Sequence, residues 1–240
     1  MNKQDKITYV QNCIANDWGN QADIFIKNEN VIVETDKAFF EITTFGFNAV
    51  IRADKEIVDW CRNMFSNVPA NLIIDGENFY QIEKKLREHG KRLAGEHVRF
   101  LYIGSVPRVE KPEGYTFTWY EKEKLQFLYE DDRFDSALNY HEKGEVLALV
   151  ARKDNEIVAV VAVDDYCYGL WQIGIDTLEA ERGKGLAAYL IQEIARESEK
   201  RNQVPFYTTW SANLASFRAA LKAGFLPVWV WYYAEDINVK

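Results

Sequence analysis

The chain has 240 residues, 48% of them hydrophobic and 14% aromatic, and a formal net charge of −8. That is ample apolar material for one large folded domain or two small ones, which excludes a disordered chain. No basic run exceeds a few residues, so the electrostatic footprint of a nucleic-acid binder is missing, and no stretch approaches membrane-spanning length. The cysteines, Cys13, Cys61 and Cys167, are odd in number and far apart, and the histidines, His89, His97 and His141, are equally scattered. Neither set has metal-ligand or disulfide-framework spacing, so no metal is expected. The N-terminus leads into no apolar leader segment, and a reduced, cytoplasmic protein is the expectation.

Residues 2 to 16 read as a helix carrying Ile7, Val10 and Ile14. Three strand-like runs follow, Val31 to Glu34, Ala38 to Thr43 and Asn48 to Ala53, rich in β-branched and aromatic residues and separated by Asn, Asp and Gly. Asp54 is placed to start a helix reaching Ser66, with Ile57, Val58, Cys61 and Met64 on its apolar face. Pro69 ends it, and Asn71 to Asp75 reads as a short buried strand. A helix from Asn78 to His89 stops at Gly90, and Val98 to Ile103 reads as a strand. Residues 107 to 114 hold two of the five prolines and form the expected linker.

The second half begins with a strand, Tyr115 to Tyr120, and a mainly helical stretch, Glu121 to Glu142. Strands are then expected over Val146 to Arg152, Ile157 to Val163 and Leu170 to Thr177. The run Arg182-Gly183-Lys184-Gly185-Leu186-Ala187 comes next and opens a helix to Arg201, with Leu186, Leu190, Ile191 and Ile194 on one face. Glycines between a strand and a helix allow positive φ and close approach of a ligand to the backbone. The helix start adds unpaired N–H groups and the positive dipole end, which together suit a pyrophosphate. Two glycines also suit a plain chain reversal, so context has to decide. A strand from Phe206 to Trp210, a helix from Asn213 to Ala223 capped by Gly224 and a strand from Pro227 to Tyr233 complete the chain.

Both halves thus read as three strands, helix, strand, helix, strand, which suggests a tandem repeat of one α/β unit. At the equivalent junction the first half reads Arg52-Ala53-Asp54-Lys55-Glu56, with carboxylates where an anion would have to sit.

The second half resembles the GNAT superfamily of acyl-CoA-dependent N-acetyltransferases. The resemblance covers Val146 to Tyr233. It rests on the Arg/Gln-x-x-Gly-x-Gly/Ala signature, met by Arg182, Gly185 and Ala187, and on an Asn followed by Gly-Phe, met by Asn213, Gly224 and Phe225. It implies an α/β fold, a mixed central sheet flanked by helices, in tandem GNAT-like units: a degenerate unit over 1–106, the linker 107–114 and the CoA-binding unit over 115–240. It further implies acetyl-CoA as co-substrate. Backbone groups of Ile175, Asp176 and Thr177 would hold the pantetheine arm and the thioester. The amides of Gly183, Lys184, Gly185, Leu186 and Ala187, with Arg182, would hold the pyrophosphate. Asn213 would touch the arm, act as an ordinary helix N-cap, or both, and Arg218 would reach a CoA phosphate or stand free in solvent.

Two positions depart from the family pattern. Glu179 replaces a common proline, and Ala220 stands where many members carry the Tyr that protonates the leaving thiolate. With a thiol pKa near 8.5, expelling free thiolate at pH 7 costs only about 2 kcal/mol relative to the protonated product, so this loss leaves activity possible.

The expected reaction is direct attack of a small molecule's amine on the acetyl thioester. Asp176 is the first candidate for the base that deprotonates the amine, ahead of Asp164 and Asp165. Tyr166, Tyr168, Tyr207 and Trp210 are candidates to line the acceptor pocket or simply pack in the core. The alternative is a catalytically silent acyl-CoA-binding or scaffolding protein. Neither nucleic acid nor membrane is an expected partner, and a monomer or a homodimer fits the sequence.

Overall fold

The β-branched and aromatic runs fold as strands and most of the helically periodic runs as helices. The computed structural model describes residues 1–104, 106–138 and 144–238. In chain order these form α1 (Lys3–Asp17), β1 (Val31–Glu34), β2 (Phe40–Thr44), β3 (Ala49–Ala53), α2 (Val58–Phe65), α3 (Gly76–Arg87), β4 (Lys91–Leu93) and β5 (His97–Tyr102). Then come β6 (Thr116–Glu121), β7 (Glu145–Lys153), β8 (Glu156–Cys167), β9 (Leu170–Thr177), α4 (Leu186–Lys200), β10 (Val204–Trp210), α5 (Leu214–Ala223) and β11 (Phe225–Asp236). Ser105, just before the expected linker, and the end of the expected helical stretch including His141, lie outside the described residues. The chain divides into two units, Met1–Cys13 with Phe100–Pro227 and Ile14–Arg99 with Val228–Lys240.

In the unit built on residues 14–99, the strands run β1-β3-β2-β11-β4. β1 is parallel to β3 and the other pairs are antiparallel. Phe40, Ile42, Ile51 and Ala53 form one core with Val58, Cys61 and Phe65 of α2 and with Ile82 and Leu86 of α3. Alternation along the strands puts Glu41 and Arg52 on the other face, where they form a buried ion pair. The Trp231 indole N–H donates to Glu41 Oε2 (2.9 Å), and the Arg52 guanidinium lies 4.6 Å from the Trp18 ring centre.

Two expectations are corrected in this unit. Asn71 to Asp75 is no strand: Ala70–Leu72 is a 3-10 turn after Pro69, and Asp75 caps α3 by accepting the Asn78 N–H (2.8 Å). A short apolar run cannot be assigned by periodicity alone, and here the flanking proline and cap decided it. β4 was missed because Lys91 and Arg92 carry no strand signal; its pairing with β11 makes it a strand. The two halves also pair differently. Their first three strands lie in the order β1-β3-β2 in one half and as an antiparallel β7-β8-β9 in the other.

In the unit built on residues 100–227, the strands run β10-β9-β8-β7-β6, antiparallel except for the parallel pair β9 and β10. Ala148, Val150, Val160 and Ala162 pack against Leu125, Leu128, Phe134, Ala137 and Leu138. Alternation turns Leu147, Leu149, Val161 and Val163 to the opposite face, and α4 packs across β7 to β10 with Leu186, Leu190, Ile191 and Ile194 buried. The stretch expected as mainly helical holds, in its described part, three 3-10 turns at Lys122–Lys124, Gln126–Leu128 and Asp132–Phe134. Its acidic run interrupts any continuous α-helical ladder: the Asp131 carboxylate accepts the Arg133 N–H and starts the third turn anew.

The expected linker belongs to this unit and docks along α4. Val109 N–H donates to Gln192 Oε1 (2.7 Å), Gln192 Nε2 donates to the Pro107 carbonyl (3.2 Å), and Arg108 pairs with Glu193 (3.0 Å).

Candidate functional site

The site is built where β9 ends and α4 begins. β9 and β10 are in register from Leu170–Val204 to Ile173–Tyr207, and the register stops there. Both strands nevertheless continue, β9 to Thr177 and β10 to Trp210. Beyond Ile173 the edge of β9 that faces away from β8 therefore has no strand partner among the described residues. The hydroxyls of Thr177 and Thr208, one on each side of this fork, are buried with no hydrogen-bond partner among the described residues. Buried polar groups are normally satisfied, so the fork has capacity for a ligand's amide and carbonyl groups.

The glycine loop closes the open end of the fork. Gly183 has φ +78° and Gly185 φ +80°, left-handed values that glycine adopts without strain. Nothing lies within 4 Å of where a side chain at Gly183 would begin, so backbone conformation alone demands glycine there. Gly185 is the N-cap of α4, and no side chain caps the helix. Its first-turn N–H groups thus lack the usual side-chain acceptor, at the end where the dipole favours an anion.

Cations gather at this end. The Arg182 side chain donates from Nε to the Thr177 carbonyl (3.3 Å), tying the loop to the end of β9. Lys222, from α5, brings its ammonium to 3.7 Å from the position of a Cβ at Gly185. Lys184 pairs with Glu181 (2.8 Å), which is also bound by Lys153 and by the Tyr115 hydroxyl. Those partners, Lys184 first, hold the Glu181 carboxyl down at about 2. Between the strap of residues 106–113 and Lys184, Gly185 and Lys222 lies a cavity of about 610 Å³.

The other expected residues divide into those near the fork and those away from it. Ile175 and Thr177 lie on its β9 side, as does half-buried Asp176. Burial pushes the Asp176 carboxyl up, opposed by hydrogen bonds from Ala137 (2.9 Å) and Ser136 and reinforced by the charge of Asp135. Asn213 accepts the Ser216 N–H (3.2 Å) and so is an N-cap, and Arg218 is exposed. Asp165 accepts the Gly169 N–H (3.0 Å) in the β8–β9 turn, and Asp164 is buried in β8 opposite Glu145 and Gln172. Tyr168 also belongs to that turn, its carbonyl accepting from the Tyr9 hydroxyl (2.6 Å). Trp210 ends β10, so the two rings stand at opposite ends of the strand pair, roughly 20 Å apart at 3.3 Å per residue. They cannot share a small pocket.

Sequence reasoning missed Lys222, for a lysine in a last helical turn reads as a dipole partner. It also missed the pairing of Tyr207 with Ser216, whose hydroxyls are hydrogen-bonded across nine residues. No spacing rule links a strand residue to the next helix's first turn.

A family model described as GNAT acetyltransferase matches residues 109–230, 122 of the 240 residues. The chain belongs to the GNAT acetyltransferases. Acyl transfer from acetyl-CoA is the chemistry of this family, and the matched region contains the fork, the glycine loop and α5. Among solved structures, one from Novosphingobium aromaticivorans assigned to the GNAT family is 18% identical, with a TM-score of 0.46, over 60% of this chain and 66% of its own. A GCN5-related N-acetyltransferase from Kribbella flavida is 20% identical, with a TM-score of 0.48, over 64% of this chain and 63% of its own. The chain thus spans just under two thirds of the length of either. A structure from Salmonella typhimurium with acetyl-CoA is 12% identical, with a TM-score of 0.39, over 53% of this chain and 96% of its own. No curated protein matches the sequence. Among the described residues, no helix is long and apolar enough to cross a membrane, and no group of three His, Cys, Asp or Glu side chains is arranged to hold a metal ion.

Proposed function

We propose that the protein is an acetyl-CoA-dependent N-acetyltransferase that moves an acetyl group to the amine of a small molecule by direct attack on the thioester. The observation that carries this is the fork: β9 and β10 lose their register after Ile173 and Tyr207 but run on beside the glycine loop. Acetyl-CoA, when bound, supplies an acyl carbon already activated as a thioester. In this reading the amides from Gly183 to Ala187 and the ammonium of Lys222 bind the pyrophosphate, with Arg182 and Lys184 adding charge at the rim. The cavity under the strap accommodates the nucleotide end.

The backbone edge from Ile175 to Thr177, with the orphaned Thr177 and Thr208 hydroxyls, orients the pantetheine arm, and Asn213 fixes the start of α5 beside it. A backbone N–H on that edge donates to the carbonyl oxygen as it gains negative charge. Holding both reactants in one crevice lowers the entropic part of the barrier. Asp176 takes the proton from the attacking ammonium; burial raises its pKa, which makes it a stronger base than an exposed carboxylate. The three cysteines are buried and none is joined in a disulfide, which accords with action in a reducing, cytoplasmic setting.

The test is thiol release from acetyl-CoA across a panel of polyamines, amino acids and aminoglycosides. Turnover above background hydrolysis with at least one amine is expected. Binding of acetyl-CoA without turnover of any amine would favour the silent-protein reading, which draws on Ala220 and on the carboxylates at the first half's equivalent junction.

A further inference from the structure

Ala220 leaves the site without the phenol that many family members place on this helix, yet a phenol is present by another route. Ser216 and Ala220 are one turn apart on the same face of α5. Helical side chains lean toward the N-terminus and cover the preceding turn, so a Tyr at 220 would extend its hydroxyl toward the level of Ser216. At that level the chain already carries a hydrogen-bonded hydroxyl pair, Tyr207 with Ser216. Tyr207 forms the last register pair of β10, with Ile173, so its ring stands where the strands begin to part.

The surroundings suit a proton donor. Tyr207 is only 3% exposed and lies between the rings of Phe100 and Phe225, with centres 6.4 and 6.3 Å away, so little water is at hand to replace it. Burial, first, and the nearby charge of Asp176 raise its pKa against the opposing effect of the hydrogen bond with Ser216, so the phenol keeps its proton. Ser216 is itself fixed, because its N–H is held by the Asn213 side chain. Asn213 therefore orients this pair as well as capping the helix.

We propose that the Tyr207 hydroxyl, positioned by Ser216, is the acid that protonates the departing thiolate in place of a phenol at position 220. This rests on the acetyltransferase reading above. The amine lone pair forms the C–N bond, and the C–S bond breaks with its electrons passing to sulfur. The Tyr207 proton moves to that sulfur to give the free thiol. The nitrogen gives one proton to Asp176 before it attacks and a second as the amide forms; the second returns to the Tyr207 phenolate as the product leaves, and Asp176 releases the first to bulk solvent. Atoms and charge balance with no further reactant.

The experiment measures kcat for the full chain with acetyl-CoA and the amine of the panel that it turns over fastest. Tyr207→Phe should lower kcat at pH 7 by about 30-fold, the ratio set by a thiol pKa near 8.5, and should leave the acetyl-CoA Kd within about twofold. Ser216→Ala should give a smaller loss of kcat. A second measurement separates chemistry from packing: 3,5-difluorotyrosine at 207 keeps the ring and hydroxyl but makes the phenol more acidic. The alkaline limb of kcat should then shift to lower pH, and it should be absent in Tyr207→Phe. An unchanged kcat in Tyr207→Phe, or a limb that does not move with the fluorinated ring, would overturn this proposal and leave the acetyltransferase reading standing. Absence of wild-type turnover with every amine would overturn both.

Discussion

Gly185 offers the sharpest perturbation of the site, through the pair Gly185→Asn and Gly185→Asp. Both side chains must adopt φ near +80°, which costs a non-glycine residue about 1 kcal/mol, and Asn and Asp tolerate it best. Space is not the obstacle, since the new Cβ would meet the Lys222 ammonium at an ordinary 3.7 Å and nothing closer. Both also suit an N-cap, which offsets part of the backbone cost. Thermal or urea unfolding should therefore place the two variants within about 1 kcal/mol of each other and of the wild type. Binding should separate them. A carboxylate about 5 Å from a pyrophosphate charge is repelled by about 3 kcal/mol at an effective dielectric constant near 20, roughly two orders of magnitude in Kd. The same carboxylate draws Lys222 away from the ligand, which acts in the same direction. Calorimetric titration with acetyl-CoA should show a loss of roughly 100-fold for Asp and of a few-fold for Asn. Equal affinities for the two variants would show that no anion lies against Gly185, and the placement of the pyrophosphate would be wrong.

Two further predictions concern the unit that contains residues 14–99. Glu41→Leu removes one partner of a buried ion pair and strands Arg52, so urea unfolding should show a loss of about 3–5 kcal/mol; replacing both residues by apolar ones should restore most of it. His97 is held near 4 by burial and by the charge of Arg99, below its unfolded value of about 6.5. Between those values the unfolded state binds more protons, so stability should be full above about pH 6.5 and fall as the pH drops toward 4. His97→Gln should flatten that part of the stability profile, as read from urea midpoints against pH.

What the sequence disclosed about the site was its backbone chemistry. Gly183, Gly185 and Gly224 punctuate elements by their conformation, and all three have the positive φ that their positions implied. A glycine at a strand–helix junction is a local signal, so it survives without knowledge of the tertiary fold. The fork itself left no signal in the strands, because an ending register leaves no mark in either strand's composition. Lys222 over Gly185 and the hydroxyl pair of Tyr207 and Ser216 depend on how α5 packs, which no spacing within one element encodes. The same limit explains Asn71 to Asp75, where Leu72, Ile73 and Ile74 suit a strand by composition but Pro69 and the Asp75 cap impose turns. The aromatic residues misled most. Tyr168 and Trp210 looked alike in sequence, yet the parallel register of β9 and β10 carries them to opposite ends.

The central claim, that this fork and glycine loop deliver acetyl-CoA to an amine, is tested most directly by following an isotopically labelled acetyl group. Labelled acetyl-CoA would be incubated with the amine panel and either the wild-type protein or Gly185→Asp, at acetyl-CoA concentrations below saturation, and the amides quantified by mass spectrometry. The account predicts labelled amide from at least one amine with the wild type and roughly 100-fold less with the variant. Label that stays on CoA with every amine, or amide formed equally by both proteins, would contradict it.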